Sequence, residues 1–253
     1  MTQHRPGKLE VQRIDEMLVE RGLADSTTKA RALVMSGVVL ANEKRVEKSS
    51  ETFPAEVELR IKGDTDATRF ASRAGVKLER ALHHFDVNVS GLDCIDIGSS
   101  TGGFTDCLLQ NGAAHIAAID SGTNQMIWRL RNDERVDLRE QTNARNLKPS
   151  DFDREFDLAV VDVSFISATA ILPAVFSLLK GNGRAIVLIK PQFEVAKGEV
   201  GEGGIVRESE KHERVVAEVN ESAEAIGFHV RGVIDSPIRG AEGNKEFLGF
   251  YAK

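Results

Sequence analysis

The segment from Leu92 to Leu109, which reads LDCIDIGSSTGGFTDCLL, constrains the fold more than any other part of the chain. An apolar run from Cys94 to Ile97 predicts a short buried strand, and the residues after Phe104 predict the start of a helix. A glycine-rich turn joins the two. Such a turn points backbone N–H groups and the positive end of the helix dipole at a ligand. The segment therefore predicts a strand–turn–helix unit that forms a small-molecule pocket.

A second acid helps to define the ligand of that pocket. Asp120 ends the next apolar run, roughly 20 residues after the glycine turn, which is the spacing used to hold a pair of ribose hydroxyls. The glycines do not form a clean G-x-G-x-x-G pattern, so a dinucleotide is only one candidate. Because S-adenosylmethionine has no pyrophosphate, a strand that ends in acid-x-Gly, as Asp96-Ile-Gly98 does, suits it better. We favour S-adenosylmethionine and leave open another nucleotide or a purely structural turn.

Composition and charge exclude several classes of protein. The chain of 253 residues allows one large domain, or one domain and a small module. Its net charge of −6 argues against indiscriminate nucleic-acid binding, so any RNA contact must use local basic patches. No apolar run is long enough to span a membrane, and the N-terminus has no apolar signal region. Cys94 and Cys107 indicate buried, reduced thiols of a cytoplasmic protein, not a disulfide or a metal pair. We expect no metal site and, as a separate expectation, a monomer.

Residues 11–62 have the pattern of a small α+β module. Apolar spacing predicts a helix from about Ile14 to near Gly22 and a second helix that Ser26 or Thr27 caps and Gly37 ends. Residues 38–46 predict a hairpin, and the alternation over 56–61 predicts a half-exposed strand. The second helix and the hairpin carry a group of cations. These side chains either contact phosphates or are solvated surface charges, and charge alone favours neither.

The module resembles the RNA-binding domain named after small-subunit ribosomal protein S4. The resemblance rests on three motifs: RIDEML from Arg13, STTKARAL from Ser26 and SGVVLAN from Ser36. It implies that the module binds RNA. The residues that we assign to RNA are Lys29, Arg31, Lys44, Arg45 and Arg73.

After a polar linker, which we place at 63–74, strands and helices alternate through residues 75–253. Continuous apolar strands between helices predict a mostly parallel sheet covered on both faces. The expected strands include 93–97, 115–120, 158–162 and 184–189, with a helix over about 168–180 and another over 209–226. The last two strands, near 228–234 and 247–251, are close in sequence and predict an antiparallel pair. The predicted fold is α/β, a Rossmann-like sheet with helices on both faces, preceded by the small α+β domain.

Ligands of open α/β sheets bind at the carboxyl ends of the strands, so the polar residues that end strands are the candidates for chemistry. Besides Asp96 and Asp120, they are Asp162 and Lys190. A lysine at the end of a buried strand is costly unless it is paired. We therefore expect Asp162 and Lys190 to meet beside the cofactor, with a merely salt-bridged structural lysine as the alternative.

A wider set of motifs resembles the TlyA family, hemolysin-A-like rRNA 2′-O-methyltransferases with an FtsJ-like catalytic domain. The motifs are SRAGVKL from Ser72, DIGSSTGGFTD from Asp96, TNAR from Thr142, DVSFIS from Asp162, KPQFE from Lys190 and GNKEF from Gly243. The resemblance implies a catalytic tetrad of Lys77, Asp162, Lys190 and Glu246, and methylation of a cytidine ribose in ribosomal RNA. The resemblance and the spacing together assign nine residues to the cofactor site. For one of them, Phe165, a place in the hydrophobic core is the alternative. The set is Asp96, Gly98, Ser99, Gly102, Gly103, Phe104, Asp120, Asn143 and Phe165.

The chemistry of ribose methylation fits these residues. A 2′-hydroxyl is a poor nucleophile at neutral pH, so the site must align it and accept its proton. We assign the contact with the hydroxyl to Lys190, which Asp162 orients, while Lys77 and Glu246 complete a cluster of zero net charge. Which lysine is neutral in the reactive state stays open.

Members of the family that act on both ribosomal subunits tend to extend further at the C-terminus, so we expect large-subunit RNA, with the small subunit still possible. Three other functions are alternatives: a non-catalytic RNA-binding or ribosome-assembly factor, a methyltransferase for another substrate, and a membrane-active hemolysin. The glycine-rich segment after Lys190, with Gly198, Gly201, Gly203 and Gly204, is either a loop that closes over the target nucleotide or a plain connection.

Overall fold

The structure is a computed structural model that describes residues 11–21, 23–24, 26–61, 69–240 and 242–253. The chain divides after Arg69 into two compact units. Residues 63–68 of the expected linker, and Gly22, the expected end of the first helix, lie outside the described residues.

The first unit packs two helices against short strands. Its elements are β1 (Val11–Arg13), α1 (Ile14–Glu20), α2 (Thr27–Met35), β2 (Val39–Ala41), β3 (Lys44–Arg45), β4 (Thr52–Pro54) and β5 (Leu59–Ile61). Strand β2 pairs antiparallel with β3 and β5. The predicted hairpin turn is confirmed: Asn42 and Glu43 have φ of 47° and 62°, as a two-residue turn between twisted strands requires. The pairing of β1 with β4 was not predicted, because three-residue strands leave almost no periodic signal.

Ser26 caps α2, as one of the two predicted residues. Its backbone is extended, and its hydroxyl accepts a hydrogen bond from the backbone N–H of Lys29. This bond satisfies one of the free N–H groups of the first helical turn. The helix can therefore begin at Thr27, and Ala30 and Val34 pack into the core of the unit with Ile14 and Met17 of α1.

The second unit is built around a seven-stranded sheet. Its helices are α3 (Ala74–His84), α4 (Gly103–Gln110), α5 (Trp128–Arg131), α6 (Leu172–Leu178), α7 (Pro191–Glu194) and α8 (Ser209–Ile226). Its strands are β6 (Asp93–Ile97), β7 (His115–Ile119), β8 (Val136–Arg139), β9 (Phe156–Val161), β10 (Leu179–Ile189), β11 (His229–Asp235) and β12 (Phe247–Ala252). The spatial order is β11-β12-β10-β9-β6-β7-β8.

Five neighbouring strands, β10, β9, β6, β7 and β8, run parallel, and β12 is antiparallel to both β10 and β11. The predicted parallel sheet and terminal antiparallel pair are thus confirmed. From β6 the chain first adds β7 and β8 on one side, then returns to add β9 and β10 on the other. The switch point between β6 and β9 is where α/β sheets open a crevice for a ligand.

Helices cover both faces of the sheet. Alternate residues of β6 point to opposite faces of the sheet. Ile95 and Ile97 pack with α6 and α8 on one face, while Cys94 packs with α3 and α4 on the other. One expectation was wrong. The helix predicted over 168–180 is a 3-10 turn at 168–170 followed by α6, which ends at Leu178. Pro173 lies in the first turn of α6, where its missing N–H costs nothing, and Gly181 and Gly183 disfavour a continuation of the helix beyond Leu178.

Candidate active site

A cavity of about 530 Å³ opens at the switch point, beyond the carboxyl ends of β6, β7 and β9. Residues from four loops line it, including Ser100 after β6, Asp120 after β7, Asn143 after β8 and Phe165 after β9. A smaller cavity of about 140 Å³ adjoins it and shares Gly98, Ser100, Asp162 and Ser164 with it. The larger cavity has room for a nucleoside, and the smaller one extends from it towards Lys190.

The glycine turn lies between the two cavities in a conformation that side chains would disturb. Gly98 has φ of +88°, and a Cβ atom there would lie 2.3 Å from the carbonyl oxygen of Asp162. Gly102, with φ of +99°, begins α4 as its N-terminal cap. Gly103 and Phe104 open that helix, and Gly103 packs against the hydroxyl of Ser72. The turn therefore brings backbone close to the place that a ligand would occupy.

Asp120 is fixed at the mouth of the larger cavity. One carboxylate oxygen accepts a hydrogen bond from the N–H of Gly122 and the other from the N–H of Ser100, both at 2.7 Å. Each oxygen keeps a second lone-pair direction, so the carboxylate can still accept hydrogen bonds from two ribose hydroxyls. The side chain of Gln125 also bonds to Ser100, at 3.0 Å.

Two polar side chains beneath the glycine turn have unused hydrogen-bonding capacity. Asp96 is fully buried; one of its oxygens accepts the hydroxyl of Thr105 at 2.6 Å, and the other has no hydrogen-bond partner. The buried hydroxyl of Ser99 also has none. Burial raises the pKa of Asp96 to about 7, although the bond from Thr105 opposes the shift. Ser99 lines the smaller cavity, while Asp96 lines neither of the two.

Asn143 and Phe165 both line the larger cavity. The side-chain oxygen of Asn143 accepts the N–H of Arg145 at 3.1 Å, which fixes the side chain at the start of a 3-10 turn. Phe165 is 92% exposed and has φ of +63°, a rare conformation for an aromatic residue. It is therefore not a core aromatic.

Asp162 and Lys190, at the ends of β9 and β10, meet in the smaller cavity. The Nζ atom of Lys190 lies 2.6 Å from Oδ1 of Asp162 and donates a hydrogen bond to the hydroxyl of Ser164 at 3.0 Å. Both side chains of the ion pair are largely buried. Because β9 and β10 are adjacent and parallel, their ends place these residues side by side.

Lys77 and Glu246 form a second ion pair. Lys77 lies on α3 and Glu246 immediately before β12, 169 residues apart in the chain, yet Nζ and Oε2 are 2.5 Å apart. Their side chains are 7% and 3% exposed. Neither residue lines the smaller cavity, but Ala74, one turn before Lys77 on α3, does. The structure thus joins the four residues in two charge-balanced pairs.

The cations assigned to RNA occupy two places. Lys29 and Arg31 are exposed on α2, and Lys44 and Arg45 are exposed on β3, all in the first unit. The guanidinium of Arg31 bonds to Asp15 at 2.8 Å, a buried carboxylate to which Arg13 also binds; the Arg13 bond lowers the pKa of Asp15 to about 2. Arg73 is exposed in the second unit, at the start of α3.

Sequence reasoning missed Ser164, Gln125 and Glu194 as parts of this region. Ser164 and Glu194 fall inside the quoted motifs DVSFIS and KPQFE, which was the available signal. Glu194 accepts two hydrogen bonds from the loop after β9, and burial raises its pKa.

Within the described ranges, no cluster of three or more His, Cys, Asp or Glu side chains is arranged to hold a metal ion. In the same ranges, every helix is too short or too polar to cross a bilayer.

Comparison with known proteins first defines the class. The sheet has the fold of S-adenosylmethionine-dependent methyltransferases: a solved example from Mesorhizobium loti superposes with a TM-score of 0.52 at 16% identity, over 69% of this chain and 96% of the other. A solved structure from Streptococcus thermophilus, which carries a provisional hemolysin name, matches with a TM-score of 0.74 at 43% identity, over 97% of this chain and 90% of the other.

The family follows from the sequence matches. Residues 70–253 match the FtsJ-like methyltransferase model, and residues 12–59 match the S4 domain. The chain is 41% identical to the Mycobacterium tuberculosis protein named 16S/23S rRNA (cytidine-2′-O)-methyltransferase TlyA, over 93% of this chain and 88% of that protein. It is 39% identical to Hemolysin A of Brachyspira hyodysenteriae, over 94% and 99% of the two chains. The chain therefore belongs to the FtsJ-like methyltransferase family and carries an S4 domain, as its motifs predict.

Proposed function

We propose that this protein transfers a methyl group from S-adenosylmethionine to the ribose 2′-hydroxyl of a cytidine in ribosomal RNA, with the large subunit as its main substrate. The observation that carries the proposal is the buried contact of Lys190 with Asp162 and Ser164, in the smaller cavity that adjoins one with room for a nucleoside. The reaction takes place in the cytoplasm, where ribosomes are, and the enzyme acts as a monomer.

The residues around the two cavities fit the proposed cofactor. Asp120 would hold the ribose hydroxyls and Asn143 the adenine side, while the Gly98–Gly103 turn allows the backbone to approach the methionine end. The unpartnered oxygen of Asp96 and the hydroxyl of Ser99 would satisfy polar groups of the amino acid end. When bound, S-adenosylmethionine supplies a methyl group that its sulfonium charge already activates. The protein therefore has to orient an acceptor and remove a proton.

Lys190 is the residue that we assign to the acceptor hydroxyl. Its Nζ atom can accept the hydroxyl proton when it is neutral, or hold the oxygen in line through a hydrogen bond when it is charged. Asp162 and Ser164 restrict the ammonium to one direction. Since Lys190 can rotate three donors, it can bond to both residues and still reach a ligand.

Lys77 and Glu246 are proposed to complete the site as the second charge-balanced pair. A buried pair with good geometry keeps the local charge neutral, which makes it tolerable beside the first pair. Glu246 reaches this position because Gly240 has no side chain; a Cβ atom there would lie 2.5 Å from Oε1 of Glu246.

The substrate assignment rests on the relatives and on the first unit. The Mycobacterium tuberculosis relative is named for cytidine-2′-O-methylation of 16S and 23S rRNA, and that of Campylobacter jejuni for 23S rRNA alone. The exposed cations of α2 and β3 would bind RNA phosphates. We assign the same substrate class to this chain, with 23S rRNA first.

The test uses isolated 50S and 30S subunits that lack the modification, incubated with the full chain and methyl-labelled S-adenosylmethionine. We expect label at one cytidine ribose of 23S rRNA and a loss of at least 100-fold with Lys190→Ala. Lys180→Ala is the matched control, because Lys180 is near the start of the same strand and pairs with Asp157 far from the cavity. No label in either rRNA, or equal label from Lys190→Ala, would refute the proposal.

A further inference from the structure

Glu194 ends the KPQFE motif that begins with Lys190, and it has no place in the mechanism above. Its carboxylate lies at the C-terminal end of α7, where Oε2 accepts the hydroxyl of Ser167 at 2.5 Å and Oε1 accepts the backbone N–H of Ala168 at 2.7 Å. Both donors belong to the loop that follows β9. The carboxylate therefore bonds to the N-terminal end of the 3-10 turn at 168–170, the end at which a negative charge is favoured.

Three contacts in succession join the loop after β9 to the segment after β10. Lys190 forms an ion pair with Asp162 and donates a hydrogen bond to Ser164. The rings of Phe165 and Phe193 lie 5.2 Å apart, and Ser167 and Ala168 donate hydrogen bonds to Glu194. The ion pair is at one end of this series and Glu194 at the other. The loop between them lines the larger cavity and includes Phe165 in a left-handed conformation.

A loop that holds an aromatic residue at φ of +63° needs fixed ends, since that conformation is unfavourable in a free chain. One end is fixed by strand β9. At the other, the two hydrogen bonds to Glu194 are charge-assisted, and charge-assisted bonds are stronger than neutral ones. Thr169 adds its N–H to the hydroxyl of Ser167, which orients that hydroxyl towards Glu194.

We propose that Glu194 is a positioning residue for methyl transfer: it clamps the loop after β9 against the segment after β10 and so sets where Lys190 stands relative to Asp162 and Ser164. The inference rests on the proposed function for its kinetic consequence, but the clamp itself is a property of the fold. Loss of the clamp displaces the reacting groups and lowers kcat, while the KM for ribosomal RNA, which we assign mainly to contacts of the S4 domain, changes little.

The experiment compares Glu194→Ala, Glu194→Gln and Ser167→Ala in the full chain, with Glu221→Ala, at an exposed position of α8, as the control. Glutamine keeps an acceptor for Ala168 and can still bond to Ser167, so it should retain most of the activity. We expect Glu194→Ala to lower kcat by about 10- to 100-fold and to leave the KM for the subunit within about twofold. Ser167→Ala should give a smaller loss of kcat, because the bond to Ala168 remains.

Hydrogen exchange gives a measurement that does not depend on catalysis. The amide of Ala168 should exchange about tenfold faster or more in Glu194→Ala than in the wild type, and close to the wild-type rate in Glu194→Gln. If wild-type protein methylates ribosomal RNA and Glu194→Ala retains its kcat, the inference is wrong although the proposed function holds. Unchanged exchange at Ala168 also refutes it. A wild type that methylates no rRNA but shows the exchange pattern would overturn the proposed function and leave only the clamp.

Discussion

The buried pair of Lys77 and Glu246 offers the sharpest test of how charge is balanced in the second unit. Removing one partner leaves the other charge unpaired at a place where both side chains are at least 93% buried. Breaking such a pair costs about 3–5 kcal/mol, whereas replacing both partners with apolar residues of similar volume is neutral or stabilising. Glu246→Ala and Lys77→Met should therefore each destabilise the protein. The double variant Lys77→Met/Glu246→Leu should regain a stability close to that of the wild type.

In a unit of this size, 1 kcal/mol corresponds to about 2–4 °C in Tm. Each single variant should thus lower the Tm of the second unit by roughly 6–20 °C, and the double variant should melt within a few degrees of the wild type. Circular dichroism at 222 nm provides the melting curve. In the pair of Lys245 and Asp235 the side chains are 40% and 64% exposed, so Lys245→Met should change stability by less than about 1 kcal/mol.

Methylation separates stability from function in the same variants. All three should be inactive if the pair belongs to the catalytic site, including the double variant whose fold is restored. A double variant less stable than either single variant would refute the reasoning, because the loss would then come from packing and not from an uncompensated charge. A double variant that is stable and fully active would remove Lys77 and Glu246 from the proposed mechanism.

Three further predictions concern other parts of the chain. The pKa of Asp96 is raised, so the folded state favours its protonated form, and the stability of wild type relative to Asp96→Asn should fall as the pH rises from about 4 to about 7; urea unfolding at several pH values measures this. Gly98→Ala should abolish detectable binding of S-adenosylmethionine in calorimetry, because the new Cβ meets the carbonyl of Asp162; unchanged affinity would contradict that geometry. Ser26→Ala should destabilise α2 by about 1 kcal/mol and speed its amide exchange, since the N–H of Lys29 loses its acceptor.

Much of the fold was predictable because its strands are apolar runs of the length that a covered parallel sheet requires. The strand at 93–97 is predicted with its observed bounds. Asp120, the acid that follows the strand at 115–119, lies where the carboxyl ends of the parallel strands meet. Strand ends meet there because the strands run parallel, so the sequence alone groups Asp120, Asp162 and Lys190. Their roles in binding and catalysis stay predictions.

The ion pair of Lys77 and Glu246 was harder to predict from the sequence. Nothing local indicates that Lys77 bonds to Glu246, since 169 residues separate them and only the insertion of β12 between β10 and β11 brings them together. Glu194 was overlooked because a glutamate after a predicted strand resembles any surface acid until its two donors are located. The predicted helix over 168–180 extends past the observed end at Leu178, because apolar residues at helical spacing continue up to the glycines of β10.

The position of β12 also sets when the pair of Lys77 and Glu246 can form during synthesis. Glu246 and the last strand are made after every other element of the sheet, and β12 pairs on both sides with strands already synthesised. A nascent chain that has displayed its S4 domain and folded β6 to β10 still lacks the partner of Lys77. Under the proposed mechanism, the site is therefore incomplete until β12 has paired with both of its neighbours.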